Sequence, residues 1–221
     1  MVGDCFDNSN FDLGYLPYSS RQLYRGDRPH RLNKDEKALL KFFKKKEKQG
    51  CVVDRITGNH DEPIWRVISM FLERPATEEC LTEIMGALCL EIHGDQFDAF
   101  YHKHKWTSEI ATRAYEKLSY MGPRARWLCS MLKRRAKSYT RALDCVAQGA
   151  TLHAAHLGAR HVFCGHTHHG EHRELNGVHY YNYGCWTQED CSLVTIGEKG
   201  IRIHHYYPDG TPTWIDGPYP I

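Results

Sequence analysis

The chain has 221 residues, of which 41% are hydrophobic and 25% are charged, enough for one substantial core. Its 29 basic and 27 acidic residues nearly cancel, so charge gives no reason to expect a nucleic acid as partner. Nine cysteines without a CxxC pair indicate reduced thiols, and no run of 18 apolar residues occurs. These features predict a soluble, cytoplasmic protein.

The first part of the chain predicts a helix, a strand and a second helix. Residues 33–48 begin with a near capping box and carry apolar positions at helical spacing, so we expect a helix that ends near Gly50. Residues 51–56 are β-branched and predict a short buried strand, which leads into the polar sequence at 58–61. Pro63 then opens an amphipathic helix.

Two further strands each end at a polar motif. Residues 87–92 predict a strand that leads into His93-Gly94-Asp95, and residues 160–164 predict one that leads into Gly165-His166-Thr167-His168. Between them, about 107–148, the pattern is largely helical and predicts an insertion that covers the site.

The end of the chain predicts β-structure followed by an irregular segment. Residues 178–183, 192–196 and 201–206 alternate as strands do, with residues 197–200 as a hairpin connection. Four prolines in residues 208–221 predict an irregular tail. We therefore expect one domain over residues 1–207.

The basic run inside the helical insertion has two interpretations. Lys133, Arg134 and Arg135 are either the solvated face of a helix or a contact for an anionic substrate or membrane surface. The second interpretation predicts peripheral contact with the inner membrane. The sequence makes no prediction of the oligomeric state.

Polar residues at strand ends form a candidate metal site. Loops at the carboxyl ends of sheet strands converge, and ligands of open α/β sheets bind there. The candidate ligands are Asp4, Asn59, His93, His166 and His168. One carboxylate, one amide oxygen and three imidazoles suit Mn, Fe, Zn or Co. Two such ions can activate water and bind both oxygens of an in-line displacement at phosphorus.

Each motif alone would more often be structural, as a polar turn or a histidine-bearing loop, but their ordered occurrence together indicates function.

The ordered motifs resemble those of the calcineurin-like metallophosphoesterases. The matching segments are Gly3-Asp4-Cys5-Phe6-Asp7, Gly58-Asn59-His60-Asp61, His93-Gly94-Asp95 and Gly165-His166-Thr167-His168. The resemblance spans roughly residues 2–206 and implies an α/β (α+β sandwich) fold of two mixed sheets flanked by helices. It also implies a dinuclear metal-dependent hydrolase that binds two divalent ions, with Mn²⁺ as the expected ion.

The resemblance also implies a role for each matching residue. Asp4 would bridge both ions, with Asn59, His93 and His166 on the second and His168 on the first. His60 would stabilise the transferring phosphoryl group or protonate the leaving group, and Asp61 would orient it.

One branch of the family is more similar than the others. The His-Gly-Asp motif and the helical insertion resemble the UDP-2,3-diacylglucosamine pyrophosphohydrolases of lipid A biosynthesis. That similarity implies a nucleotide-lipid substrate, cleaved at its pyrophosphate to release UMP and a lipid monophosphate. The position of His60 is often arginine in that branch, so a different phosphomonoester or phosphodiester is an alternative substrate.

The beginning of the chain departs from the family pattern. Family members start with a strand that ends in Asp-x-His and supplies two ligands to the first metal, and no such segment precedes Asp4. We expect a start internal to a longer reading frame. The alternative is a catalytically inactive, metal-binding remnant that lacks the first-metal ligands.

Overall fold

The computed structural model describes residues 34–58, 76–98, 137–185, 191–207 and 209–221. The chain divides into two units, residues 1–80 and 81–221. Several predicted site residues lie outside the described residues, namely Asp4, Asn59, His60, Asp61, Lys133, Arg134 and Arg135. The predicted helix that begins at Pro63 and residues 107–136 of the predicted insertion lie outside them as well.

The first unit contains the helix predicted at 33–48. Helix α1 spans Lys34–Lys48 and carries three lysines in its last turn, where cations interact favourably with the helix dipole. Gly50 adopts the left-handed conformation with φ of 83°, and the amide of Cys51 donates to the carbonyl of Lys46. This glycine ending is typical of helix C-termini and confirms the predicted end.

The strand predicted at 51–56 is wrong. Within the described part of the first unit, this segment makes one isolated parallel bridge, between Ile56 and Thr77, rather than a ladder. Val52 is 63% exposed, so the β-branched residues that suggested a buried strand are not all buried. A buried central strand would need partners on both sides.

The second unit is built on a mixed sheet. Among the described residues, five strands form it, in the order β1-β2-β3-β5-β4. Their bounds are β1 (Glu79–Ile84), β2 (Ala87–Ile92), β3 (His161–Cys164), β4 (Glu171–Leu175) and β5 (Val178–Asn182). Strands β2, β3 and β5 are parallel, and β4 runs antiparallel to β5. The parallel centre places the carboxyl ends of three strands at one edge.

Both edges of this sheet are made by hairpins with two-residue turns. Met85 and Gly86 connect β1 to β2 with φ of 52° and 84°, and Asn176 and Gly177 connect β4 to β5 with φ of 55° and 72°. Positive φ at both central residues is the property of type I′ turns, whose twist matches that of paired strands.

Helix α2 covers one face of the mixed sheet. It spans Lys137–His156 and buries Ala147, Ala150 and Ala154 against the sheet. Small side chains at this helical spacing allow close approach. Gly158, with φ of 76°, follows the helix, and the amide of Ala159 donates to the carbonyl of Ala154.

The prediction that the helical insertion ends at about 148 is therefore wrong. The helix continues through that point without a break, and its inner face belongs to the core of the second unit. This part of the predicted cover is a core helix.

The second sheet packs on the opposite face of the first. In the described chain it has three antiparallel strands, β6 (Cys191–Gly197), β7 (Gly200–Tyr206) and β8 (Pro212–Tyr219), in that order. Ile201 of β7 joins Cys89, Phe163 and Tyr181 of the first sheet in one buried cluster. Successive side chains of each central strand point to opposite faces of the sheet, so they alternate between this cluster and the face covered by α2.

The prediction of an irregular tail at 208–221 is wrong, because this segment contains strand β8. Its residues pair with β7 from Ile201↔Tyr219 to Tyr206↔Pro212, with register shifts between them. Proline is tolerated because β8 lies at the edge of the described sheet, where one side of the strand has no neighbouring strand to receive amide hydrogen bonds.

The predicted class, an α+β sandwich of two sheets with flanking helices, is confirmed. The second unit has three layers, helix α2, the mixed sheet and the antiparallel sheet. No helix in the described ranges is long and apolar enough to cross a membrane.

Candidate functional site

Two of the predicted metal ligands lie side by side. His93 follows the last residue of β2, and His166 lies two residues beyond β3, the parallel neighbour of β2. Their ring centroids are 5.3 Å apart and the rings are nearly perpendicular, at 76°. His93 is 1% exposed. The convergence predicted for these strand ends is thus present for this pair of imidazoles.

Hydrogen bonds from the backbone and from the Asn182 side chain fix the loop that carries His166. The amide of Gly165 donates to the carbonyl of His93 over 3.0 Å. Asn182, at the end of β5 and fully buried, donates through Nδ2 to the carbonyl of Gly165 (2.6 Å) and to Tyr180 Oη (2.9 Å). Its Oδ1 accepts from the amide of Gly184. The ends of β2, β3 and β5 are therefore cross-linked directly behind the histidines.

A glycine is required between His93 and the turn that follows it. Gly94 has φ of 105°, and a Cβ there would lie 3.1 Å from Val146 Cγ1 and 3.4 Å from Cys164 Sγ. Only glycine combines this left-handed backbone with such close packing. The chain then makes a short 3-10 helix, Asp95–Phe97.

The backbone of the Gly-His-Thr-His loop is strained at both histidines. His166 and His168 have φ of 61° and 59°, in the left-handed region that residues with a Cβ rarely adopt. Such conformations cost about 1–3 kcal/mol each and concentrate at functional sites. In this loop they belong to two of the residues predicted to bind metal.

Asp98 is a residue of the site that the sequence analysis missed. It lies at the end of the 3-10 helix, and His166 Nε2 donates to its Oδ2 over 3.0 Å. Both side chains are largely buried, with 11% of His166 and 12% of Asp98 exposed. A second aspartate three residues after the His-Gly-Asp motif was the available signal, since one turn of 3-10 helix returns the chain to the same side.

The described residues supply part of the predicted ligand set. They contain no group of three or more histidine, cysteine or acidic side chains arranged to hold a metal ion. His93 and His166 nevertheless fit one, because neighbouring imidazoles are suitable donors for Mn, Fe, Zn or Co. His168 lies in the same loop, and the roles of all three residues as ligands stay a prediction.

The buried thiol and phenol nearest this loop stay protonated. Burial raises the pKa of the Cys164 thiol well above its ordinary value, and burial does the same to the pKa of Tyr180. Neither provides a thiolate or phenolate at neutral pH. The imidazoles, the carboxylate and backbone carbonyls are therefore the donors of this region.

No protein-family model and no curated protein matches the chain, but it is similar to several solved structures. Vacuolar Protein Sorting 29 from Cryptosporidium parvum is 14% identical over 80% of this chain and 75% of that one, with a TM-score of 0.44. A conserved uncharacterized protein from Streptococcus pneumoniae TIGR4, a predicted phosphoesterase, is 15% identical over 96% and 90%, with a TM-score of 0.41. Wild-type Vps29 complexed with Zn²⁺ from Entamoeba histolytica is 17% identical over 86% and 92%, with a TM-score of 0.36. These TM-scores lie below 0.5, so the chemistry of this chain rests on its own residues.

Proposed function

We propose that the chain is a metal-dependent hydrolase of phosphoester or pyrophosphate bonds. The observation that carries the proposal is the pairing of His93 and His166 at adjacent strand ends, with centroids 5.3 Å apart. Left-handed backbone at His166 and a buried carboxylate against its ring support the same conclusion. The motif order at the other predicted ligands agrees with it.

His93 and His166 would hold one divalent ion through ring nitrogens. Asp4 and Asn59 would complete its ligands, and His168 with Asp4 would hold a second ion. Bound there, the ions would supply Lewis acidity at phosphorus and a water that ionises near neutral pH. Mn²⁺ is the first ion to test, and Fe, Zn and Co are further candidates.

Protein groups would carry the remaining steps. His60 would donate a proton to the leaving oxygen or stabilise the transferring phosphoryl group, and Asp61 would hold its ring in the required tautomer. The cross-link from Asn182 to Gly165 keeps the histidine loop in one position, so little reorganisation would accompany the reaction.

Hydrolysis of bis(p-nitrophenyl) phosphate tests the proposal. We expect activity that requires added Mn²⁺, disappears with EDTA and falls at least about 100-fold in His93→Ala. His156→Ala, at the exposed end of α2, is the matched control and should retain wild-type activity. Binding of Mn²⁺ without turnover would instead favour the metal-binding remnant, and absence of both would reject the proposal.

UDP-2,3-diacylglucosamine is the substrate that we propose first. Hydrolysis of its pyrophosphate would release UMP and a lipid monophosphate. Its support is the His-Gly-Asp motif and the helical pattern before α2. If the basic run contacts this lipid or a membrane surface, Lys133→Glu, Arg134→Glu and Arg135→Glu together should raise its KM much more than the KM of the aryl phosphate. Equal effects on both substrates would indicate a structural role for the run.

A further inference from the structure

The contact between Asp98 and His166 determines which ring nitrogen carries a hydrogen. An ionised carboxylate only accepts hydrogen bonds, so His166 Nε2 is the donor across the 3.0 Å separation. A neutral imidazole has one N–H, and its Nδ1 therefore keeps the lone pair. That is the atom able to bind a metal ion.

The backbone at Asp98 is held by hydrogen bonds and packing that are independent of His166. The amide of Asp98 donates to the carbonyl of Asp95, and that of Phe97 to the carbonyl of Gly94, which together close the 3-10 turn. The Phe97 side chain occupies the space beside Gly149 of α2, where a Cβ would lie 2.6 Å from its ring. The backbone that carries Asp98 is thus fixed by contacts that do not involve His166.

We infer that Asp98 is a positioning residue, which fixes the tautomer and orientation of His166 as a metal ligand through Nδ1. The inference rests on the proposed function. In metal sites a histidine commonly donates its second ring N–H to a carboxylate, which orients the ring and raises its basicity. Loss of such a partner typically weakens metal affinity about 10- to 100-fold.

The tautomer can be measured in the metal-free protein by ¹⁵N NMR of histidine-labelled samples. We expect His166, assigned by its absence from His166→Gln spectra, to show the Nε2–H form at neutral pH. In Asp98→Ala the two tautomers should mix. A wild-type ring in the Nδ1–H form would overturn the inference.

Metal affinity is the second readout, measured by calorimetric titration with Mn²⁺. Asp98→Ala should bind about 10- to 100-fold more weakly than wild type, and Asp98→Asn, which still offers an acceptor, should fall between them. Glu83→Gln removes an exposed carboxylate from β1 and should bind like wild type. If Asp98→Ala does not fold, the isosteric Asp98→Asn decides the comparison.

The outcomes separate the two hypotheses. Wild-type binding and turnover with unchanged affinity and tautomer in both Asp98 variants would overturn the positioning role alone. Failure of the wild type to bind Mn²⁺ or any of the other candidate ions, Fe²⁺, Zn²⁺ and Co²⁺, would reject the proposed function and this inference with it.

Discussion

Three histidines stack on the face of the mixed sheet that meets the antiparallel sheet. The rings of His161 and His179 are 5.2 Å apart and nearly parallel, and His172 Nε2 lies 3.2 Å from His179 Nδ1. Tyr219 of β8 covers His172, with centroids 3.8 Å apart. His161 is 2% exposed, and its pKa is lowered to about 4 by burial first, then by His179, Arg160 and His172.

This stack predicts acid sensitivity of the fold. The folded-state pKa of His161 lies below its ordinary value of 6.5, so the unfolded chain binds the proton first. The contribution of neutral His161 to the free energy of unfolding is complete above pH 6.5. It falls by up to about 3 kcal/mol as pH decreases towards 4. The pKa of His172 is also lowered, by burial first and then by His179. Glu174 raises it, but by less than these two effects lower it.

His161→Phe should keep the stacked ring and remove the titration. Denaturant unfolding between pH 7 and 4 should show a flatter loss of stability in this variant than in wild type. His156→Phe, on the exposed end of α2, is the control and should keep the wild-type slope. Equal slopes in all three proteins would exclude His161 as the source of acid sensitivity.

At the scale of elements, α2 and the turn after β2 meet at one glycine. Gly149 lies inside the helix, where alanine normally stabilises by about 0.5–1 kcal/mol. A Cβ at this position would be 2.6 Å from Phe97 Cγ and 2.7 Å from its Cβ, and the Cβ moves only with the backbone. Steric overlap therefore opposes helix propensity at this residue.

Gly149→Ala should destabilise the protein by about 1–2 kcal/mol net, because overpacking typically costs about 1–3 kcal/mol. Thermal unfolding measures the change, and Gln148→Ala, at the exposed neighbouring position, should be neutral or slightly stabilising. Phe97→Leu in the Gly149→Ala background should recover part of the loss. Increased stability of Gly149→Ala would refute the packing argument.

The same elements show which signals the sequence carried. Strands β2, β3 and β5 were predicted to within one residue at each end, because central parallel strands are short apolar runs. Strands β1 and β4 were missed because they lie at the sheet edges, and β4 reads Glu171-His-Arg-Glu-Leu without an apolar run. The helical stretch was predicted to end at about 148, whereas α2 continues to His156 and Gly149 inside it is a packing residue.

The candidate site was predictable as far as its motifs extend. His93 and His166 were placed together because both follow parallel strands, and sheet geometry brings such ends to one edge. Asp98 was not predicted although its spacing from the His-Gly-Asp motif was a signal, because that signal needs the 3-10 turn to be recognised; Asn182 was not predicted because its contact depends on the pairing of β5 with β3.

At the scale of the whole molecule, the last strand completes the second unit. Tyr219 packs on His172 and Tyr181, and Ile221 packs against the cluster that contains Ile201. Ile201 and Ile203 of β7 are fully buried beside β8. Removing β8 would expose a strand edge and apolar surface, which favours aggregation.

Deletion of residues 209–221 should therefore yield an aggregating protein or lower the unfolding temperature by many degrees. Tyr219→Ala is the milder variant and should cost about 2–4 kcal/mol through lost aromatic packing. Ile215→Ala, at a position 56% exposed on the same strand, should be close to neutral. Wild-type thermal stability of both the deletion and Tyr219→Ala would contradict the structural role of β8.

We propose that His93 and His166 act together on one catalytic ion. The most direct measurement is kcat/KM for bis(p-nitrophenyl) phosphate with saturating Mn²⁺ in His93→Ala, His166→Ala and the double variant. Residues that act as a unit are strongly non-additive, so each single change should cost at least roughly 100-fold and the double change little more. Wild-type activity in either single variant, or losses that multiply in the double variant, would contradict a shared ion.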